Sequence, residues 1–255
     1  MNLYEAIFVR KTVRKFKMNP IEQGRLDGII NFARSLPMLF PDISAEYRIL
    51  NHAEAKQFYS RTLSIKAPYY FVLFSDKAAN YLINAGYLIQ QVSLYLTAKG
   101  LGSCYMGSMK PRKSCVDGMD KEYVISLAFG EGEHEVYRPA DKAKRLPMED
   151  IAVYKSEVSK NVRTIIQAGR LAPSGMNSQP WGFVVYDNRI HIFCKKNIFL
   201  SSILSEMKLI DIGICLAHLL VTAEELWVDT KVIRMDNISN ITFKKNDYVL
   251  TVKMS

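Results

Sequence analysis

The sequence predicts a mixed α+β chain built from two related halves, and three observations predict it. The chain repeats itself once, each copy carries one long apolar helix, and short apolar runs between turn residues supply strands.

The repeat is read by setting the chain against itself. Ile29–Pro37 (I-I-N-F-A-R-S-L-P) aligns without gaps on Ile165–Pro173 (I-I-Q-A-G-R-L-A-P), matching Arg34 with Arg170. Asn84–Ile89 aligns on Asp211–Leu216 and pairs Gly86 with Gly213, and Tyr123–Leu127 aligns on Tyr248–Val252. The order is preserved and the spacing between matched words shrinks, as shorter loops in the second copy would require. Short apolar words recur by chance, so the weight lies on three of them in order. The competing reading is a single α/β domain with coincidental likeness.

The helices follow from period. From Leu82, residues Ala85, Gly86, Ile89, Val92, Ser93 and Leu96 share a helical face, and Ile212, Leu216, Leu219, Leu220, Ala223 and Leu226 do the same in the second copy. Leu88, Leu94, Ile214 and Val221 lie off those faces, so both helices are expected to be buried on most sides. Such a pair would suit a central packing of one copy against the other. A further helix spans Val158–Arg170. The runs Tyr69–Phe74, Tyr123–Phe129, Phe183–Tyr186, Ile190–Cys194 and Tyr248–Val252 read as strands. The polar stretch Arg145–Ser156, with Pro147, reads as the linker, giving halves 1–150 and 151–255.

Composition narrows the function. Of 255 residues 49% are hydrophobic and 23% charged, as in a globular protein with a real core. No run of about eighteen apolar residues appears, so no membrane span is expected. The start, MNLYEAIFVRK, does not read as a signal peptide, so the cytoplasm is the expected compartment. Cys104, Cys115, Cys194 and Cys215 form no C-x-x-C pair and read as reduced thiols. His52, His134, His191 and His218 have no metal-binding spacing, and no metal site is expected. Lys plus Arg number 34 against 25 Asp plus Glu, a net +9 that favours an anionic partner. The Lys195–Lys196 and Lys244–Lys245 pairs read as solvated turns, and no nucleic-acid stripe forms.

Two segments carry chemistry. In R-K-T-V-R-K-F (10–16), Arg10, Lys11 and Arg14 are expected within about one turn, with the Thr12 hydroxyl among them; such a group can clamp a phosphate. A solvated basic helix end is the bland alternative. In L-A-P-S-G-M-N-S-Q-P-W-G-F (171–183), Ser174, Asn177 and Gln179 offer hydroxyl and amide groups between two prolines, around Gly175. A plain turn does not need that density of hydrogen-bonding groups. A planar heterocycle does, and Trp181 could pack behind it.

These segments resemble the nitroreductase family. The first is similar to that family's R-[RK]-[ST]-x-R-x-F, the second to its A-P-S-x-x-N-x-Q-P-W-x-F; G-L-G-S-C-Y-M-G-S (100–108) resembles its G-L-G-t-c-w-i-G-G, and K-R-L-P (144–147) its closing R-x-P. The resemblance implies FMN held between two subunits, by the first motif of one and the A-P-S segment of the other. Here it implies a nitroreductase-like fold with both subunits fused in one chain as a pseudo-dimer. The first copy has Met38, Pro41 and Ile43 where the second has Ser174, Asn177 and Gln179, and the second lacks an Arg motif and a closing R-L-P. One FMN per chain follows.

Carried over residue by residue, Arg10, Lys11, Thr12, Lys144 and Arg145 would hold the phosphate and ribityl chain. Arg14 would approach the pyrimidine end of the ring and stabilise the negative charge that reduction places there. Pro173, Ser174, Gly175, Asn177 and Gln179 would line the ring's other side, and Met106, Gly107 and Ser108 would lie near N5. The implied activity is ping-pong hydride transfer from NADH or NADPH through FMN to a small electron-poor acceptor such as a nitroaromatic or quinone. With the chemistry supplied by the flavin, no side chain need act as a catalytic acid, base or nucleophile. The same scaffold leaves open a flavin store or sensor, and a flavin-cleaving or dehalogenating relative. With the dimer interface internal, the protein is expected to be able to act as a monomer, with neither nucleic acid nor membrane as a partner.

Overall fold

The structure is a computed structural model that describes residues 1–196, 202–238, 242–243 and 246–255. The Lys244–Lys245 pair lies outside the described residues. The chain divides into two compact units, Met1–Lys142 and Ala143–Ser255.

The first unit opens with α1 (Leu3–Val9), started by a capping box. The Asn2 side chain accepts from the Glu5 N–H at 2.8 Å, and the Glu5 carboxylate accepts from the Asn2 N–H at 2.9 Å. Then follow α2 (Gln23–Ser35), β1 (Ala45–Asn51), α3 (His52–Phe58), β2 (Tyr69–Ser75), α4 (Tyr81–Ala98), β3 (Gly102–Tyr105), α5 (Lys113–Val116) and β4 (Glu122–Gly130). The strands form an antiparallel sheet in the order β1-β2-β4-β3. Buried runs on β2 and β4 make its centre, with Phe71, Leu73, Leu127 and Phe129 at 0% exposure. Helix α4 is buried along nearly its whole length, polar Asn84, Gln90 and Ser93 included. That burial is what its all-round apolar sequence requires.

The second unit contains α6 (Met148–Ile151), β5 (Ala152–Tyr154), α7 (Lys160–Arg170), β6 (Trp181–Tyr186), β7 (Arg189–Lys195), α8 (Ser202–Glu225), β8 (Thr230–Ile233), β9 (Thr242–Phe243) and β10 (Asn246–Met254). Its sheet runs β5-β6-β7-β10-β8, with β9 beside β10. Among the described residues only the short β5 pairs in parallel, on β6. Ser159 caps α7, accepting from the Val162 N–H, and the helix buries Val162, Ile165, Ile166, Ala168 and Gly169 on one side. From Ile210 to Ala223, α8 is buried nearly all round, as α4 is.

The main elements of the two units can be matched. With the short α1, α3, α5, α6, β5 and β9 set aside, each runs helix, strand, strand, long helix, strand, strand among the described residues, and the matched strands are ordered alike: β1-β2-β4-β3 in the first, β6-β7-β10-β8 in the second. The repeated words fall on equivalent elements, α2 with α7, α4 with α8 and β4 with β10. The five strand runs read from the sequence lie within β2, β4, β6, β7 and β10. The short or half-exposed strands β1, β3 and β8 lacked a periodic signal.

One boundary moves. The sequence put the linker at 145–156 and the closing R-L-P in the first half, whereas the division falls between Lys142 and Ala143. The cause is hydrogen bonding: Arg145 and Leu146 are tied to residues 171–179 and so belong to the second unit. Among the described residues no helix is long and apolar enough to cross a membrane.

Candidate functional site

In the first unit the basic motif is an extended strap and not a helical turn. Helix α1 ends at Arg10, whose backbone (φ −58°, ψ 133°) leaves the helical region. Residues 10–16 then make isolated bridges to three separate partners: Arg10 to Tyr137, Thr12 to Ser103 and Phe16 to Gly132. The expected cluster of Arg10, Lys11 and Arg14 within one turn is therefore corrected, because backbone pairing stretches the segment out. Its closeness to β3 requires a glycine. A Cβ on Gly102 would lie 2.7 Å from the Val13 Cβ, and the Val13 N–H donates to the Ser103 carbonyl at 3.0 Å.

Arg10 is buried, at 6% exposure, and its Nη2 donates to the Thr12 Oγ1 at 3.3 Å. Its Nε has no partner, and no carboxylate among the described residues pairs with it. Burial pulls its pKa below the ordinary arginine value; Tyr105 opposes that shift, Arg138 adds to it, and Cys104 opposes it. Arg138 follows the residue bridged to Arg10, and its N–H donates to the Val9 carbonyl at 2.7 Å. Its own Nε is also buried without a partner. Nothing in the sequence singled Arg138 out. Lys11 is half-buried and Arg14 exposed. Burial raises the Cys104 thiol pKa, and the charges of Arg14 and then Arg10 pull it back, so both cations bear on β3.

The turn after β3 carries Met106, Gly107 and Ser108. Met106 is buried and its N–H donates to the Ser126 carbonyl at 2.8 Å. Gly107 is half-buried and Ser108 exposed, and among the described residues their amides have no acceptor. The first-unit residues named from the sequence thus occupy two neighbouring segments, 10–14 and 106–108.

In the second unit the structure brings 144–146 and 171–179 together. Arg145 donates from Nε and Nη2 to the Leu171 carbonyl at 3.3 and 3.0 Å, and from Nη1 to the Asn177 Oδ1 at 2.9 Å. Asn177 Nδ2 donates to the Lys144 carbonyl at 3.2 Å. The Gln179 Oε1 accepts from the Leu146 N–H at 2.8 Å, its Nε2 donates to the Asn177 carbonyl, and its N–H donates to the Ser174 Oγ at 2.9 Å. These side chains therefore brace the loop's own backbone. Pro173 is buried, Ser174 and Gly175 are half-buried, and Met176 is 84% exposed. Trp181, at 0% exposure, opens β6 with its indole N–H unpartnered.

That loop is strained. Met176, Asn177 and Gln179 all sit in the left-handed region, at φ 51°, 55° and 45°. Each such residue costs on the order of 1 kcal/mol or more and persists only where its surroundings hold it. One holder is a residue the sequence reading missed: Asp211, buried on α8, accepts from the Gly175 N–H at 3.0 Å (Oδ1) and 3.1 Å (Oδ2). An acidic residue inside an apolar helical run was the signal that could have found it. Among the described residues no group of three or more His, Cys, Asp or Glu is placed to hold a metal, and the four cysteines are free thiols.

Residues 2–223 match the family described as "Putative TM nitroreductase". Similar solved structures include that of a "putative nitroreductase" from Thermotoga maritima MSB8, 22% identical, with a TM-score of 0.65 over 100% of this chain and 94% of that one. A nitroreductase family protein from Clostridium difficile 630 is 18% identical, with a TM-score of 0.51 over 62% of this chain and 100% of that one. At such identities the likeness is one of fold. No curated protein matches the chain significantly. The family match covers most of the length and takes in both motif segments: this chain belongs to the nitroreductase family and has its mixed α+β fold.

Proposed function

We propose that the protein is an FMN-dependent oxidoreductase that passes electrons from NADH or NADPH to a small electron-poor acceptor. The observation that carries this reading is Arg10: a guanidinium at 6% exposure, with an unpartnered Nε and no carboxylate beside it among the described residues. A buried charge without a counter-charge costs several kcal/mol, and a phosphate accepting from Arg10, Thr12 and Arg138 would offset that. The donor set fits a phosphate-bearing cofactor.

FMN, when bound, would supply the hydride chemistry. The chain's own residues would position it and exclude water. Lys11, Lys144 and Arg145 would add positive charge for the phosphate and ribityl chain. The cation of Arg14 would stabilise negative charge on the pyrimidine end of the ring. The Gly107 and Ser108 amides, which have no acceptor among the described residues, would be free to hold the flavin; the Met106 amide is already engaged by Ser126. In the second unit, Pro173, Ser174, Gly175, Asn177 and Gln179 would be the residues offered to the ring, with the amides of Asn177 and Gln179 acting through the backbone they brace. The proposal extends to the two repeated units standing in for the two subunits from which the resemblance draws one flavin site. The common strand order of the two units supports it.

The purified protein is expected to be yellow, or to become so with added FMN, at one flavin per chain by absorbance against protein concentration. Two flavins per chain, or none, would overturn the reading. Steady-state oxidation of NADH or NADPH with menadione then separates an enzyme from a flavin store.

A further inference from the structure

The repeat contains a physical correspondence that goes beyond its sequence. In the first unit the Leu39 N–H donates to the Asn84 Oδ1 at 2.9 Å, tying the loop after α2 to α4. In the second the Gly175 N–H donates to Asp211, tying the loop after α7 to α8. Asn84 and Asp211 are aligned in the repeat, and Leu39 and Gly175 each stand two residues beyond the aligned prolines, Pro37 and Pro173. The same clamp therefore occurs twice, from a buried polar residue on the long helix to a backbone amide of the loop. What the clamps hold differs. Among the described residues only the second loop, at 176–179, carries non-glycine residues with positive φ next to its clamp.

Resting on the flavin reading, we propose that Asp211 is a positioning residue of the FMN site: through the Gly175 N–H its carboxyl holds the loop 176–179, left-handed at Met176, Asn177 and Gln179, in the conformation that receives the flavin. Asn84 shows that a neutral amide is a sufficient acceptor for such a clamp, so the acid at 211 adds something an amide would not. It makes the clamp sensitive to protons. Burial pushes the Asp211 carboxyl up to about 7, with the Gly175 hydrogen bond and then Lys208 opposing the rise. Lys208 shares its helix, as does Cys215, while β7 brings Cys194. With the loop released the carboxyl would hydrate and titrate near its ordinary 3.8. The closed clamp is then strongest below that value and weakens as pH rises through about 7.

The test uses the full chain and three variants, Asp211→Leu, Asp211→Asn and Asn84→Leu. It reads FMN affinity by fluorescence titration, and hydrogen exchange at the 175–179 amides of the flavin-free protein, corrected for intrinsic rates. Asp211→Leu leaves the Gly175 N–H without its acceptor and should weaken FMN about tenfold or more, with faster exchange in the loop. Asp211→Asn should restore both to within about threefold and remove the loss of loop protection between pH 4 and 7 that the native protein shows. Asn84→Leu, in the other loop, should leave FMN affinity unchanged. The proposal is overturned if Asp211→Leu binds FMN and protects its loop as the native protein does, if Asn84→Leu weakens FMN equally, or if the Asp211→Asn exchange profile follows the native one. Should Asp211→Leu not fold, the Asp211→Asn pH profile alone decides. Should the native protein bind no FMN, the flavin reading fails and loop exchange still tests the clamp.

Discussion

At the scale of single residues, Arg10 and Arg14 look alike in sequence and differ in the structure. Arg10 is buried beside Thr12, and Arg14 is exposed. A buried guanidinium has already lost its hydration, so a phosphate partner restores much of what burial cost. An exposed one stays hydrated and acts through its field. Arg10→Ala should therefore weaken FMN binding by about 1.5–3 kcal/mol, the loss of a charge-assisted contact, read by fluorescence titration. Arg14→Ala should change affinity less and lower the two-electron potential of the bound flavin, read by potentiometric titration. Equal losses of affinity with an unchanged potential in both would show that the two roles are misassigned. The sequence placed both arginines in one motif. Which of them is buried, and that Tyr105, Arg138 and Cys104 then bear on its charge, is settled by segments remote in the chain.

At the scale of elements, the strap 10–16 is positioned by its fit against β3. Gly102 is the contact point, where an added methyl would collide with all three carbons of the Val13 side chain nearest it, at 2.7–2.9 Å. Val13 is β-branched and its backbone is bonded to Ser103, so it has little room to yield. Gly102→Ala should destabilise the protein by about 1–3 kcal/mol in urea unfolding, through overpacking, and should weaken FMN by displacing Arg10 and Thr12. Adding Val13→Ala removes the colliding methyls and should recover much of both losses. A double variant no better than Gly102→Ala would mean that the glycine serves some other purpose. The G-L-G word was visible in the sequence, whereas its reason lies in a neighbour almost ninety residues away, roughly the separation of Val13 from Gly102.

At the scale of the whole molecule, four strands of each unit, β1-β2-β4-β3 and β6-β7-β10-β8, are ordered alike among the described residues. If one chain carries what the resemblance assigns to two subunits, association should add nothing to function. FMN occupancy and NAD(P)H oxidation per chain should then be independent of protein concentration down to the nanomolar range, with FMN in excess. A specific activity that falls as the protein is diluted would show that chains must pair to complete the site.

What the sequence by itself determined is what neighbours along a chain can encode. Apolar periods located α4, α8 and the central strands, three matched words fell on α2 and α7, α4 and α8, and β4 and β10, and two short motifs carried the resemblance to the family. Local rules suffice there, because a helix or strand face is defined by residues a few positions apart. Only the tertiary structure decided how polar groups are used. It turned Asn177 and Gln179 toward Lys144, Arg145 and Leu146, stretched the basic motif against β3, and moved the boundary between units ahead of the R-L-P segment. It also set Asp211 beneath a strained loop that ends thirty-odd residues earlier, about the span from Gln179 to Asp211. Hydrogen-bond partners and desolvation arise from contacts between distant segments, and a buried group's charge, strain or availability exists only once those segments have met.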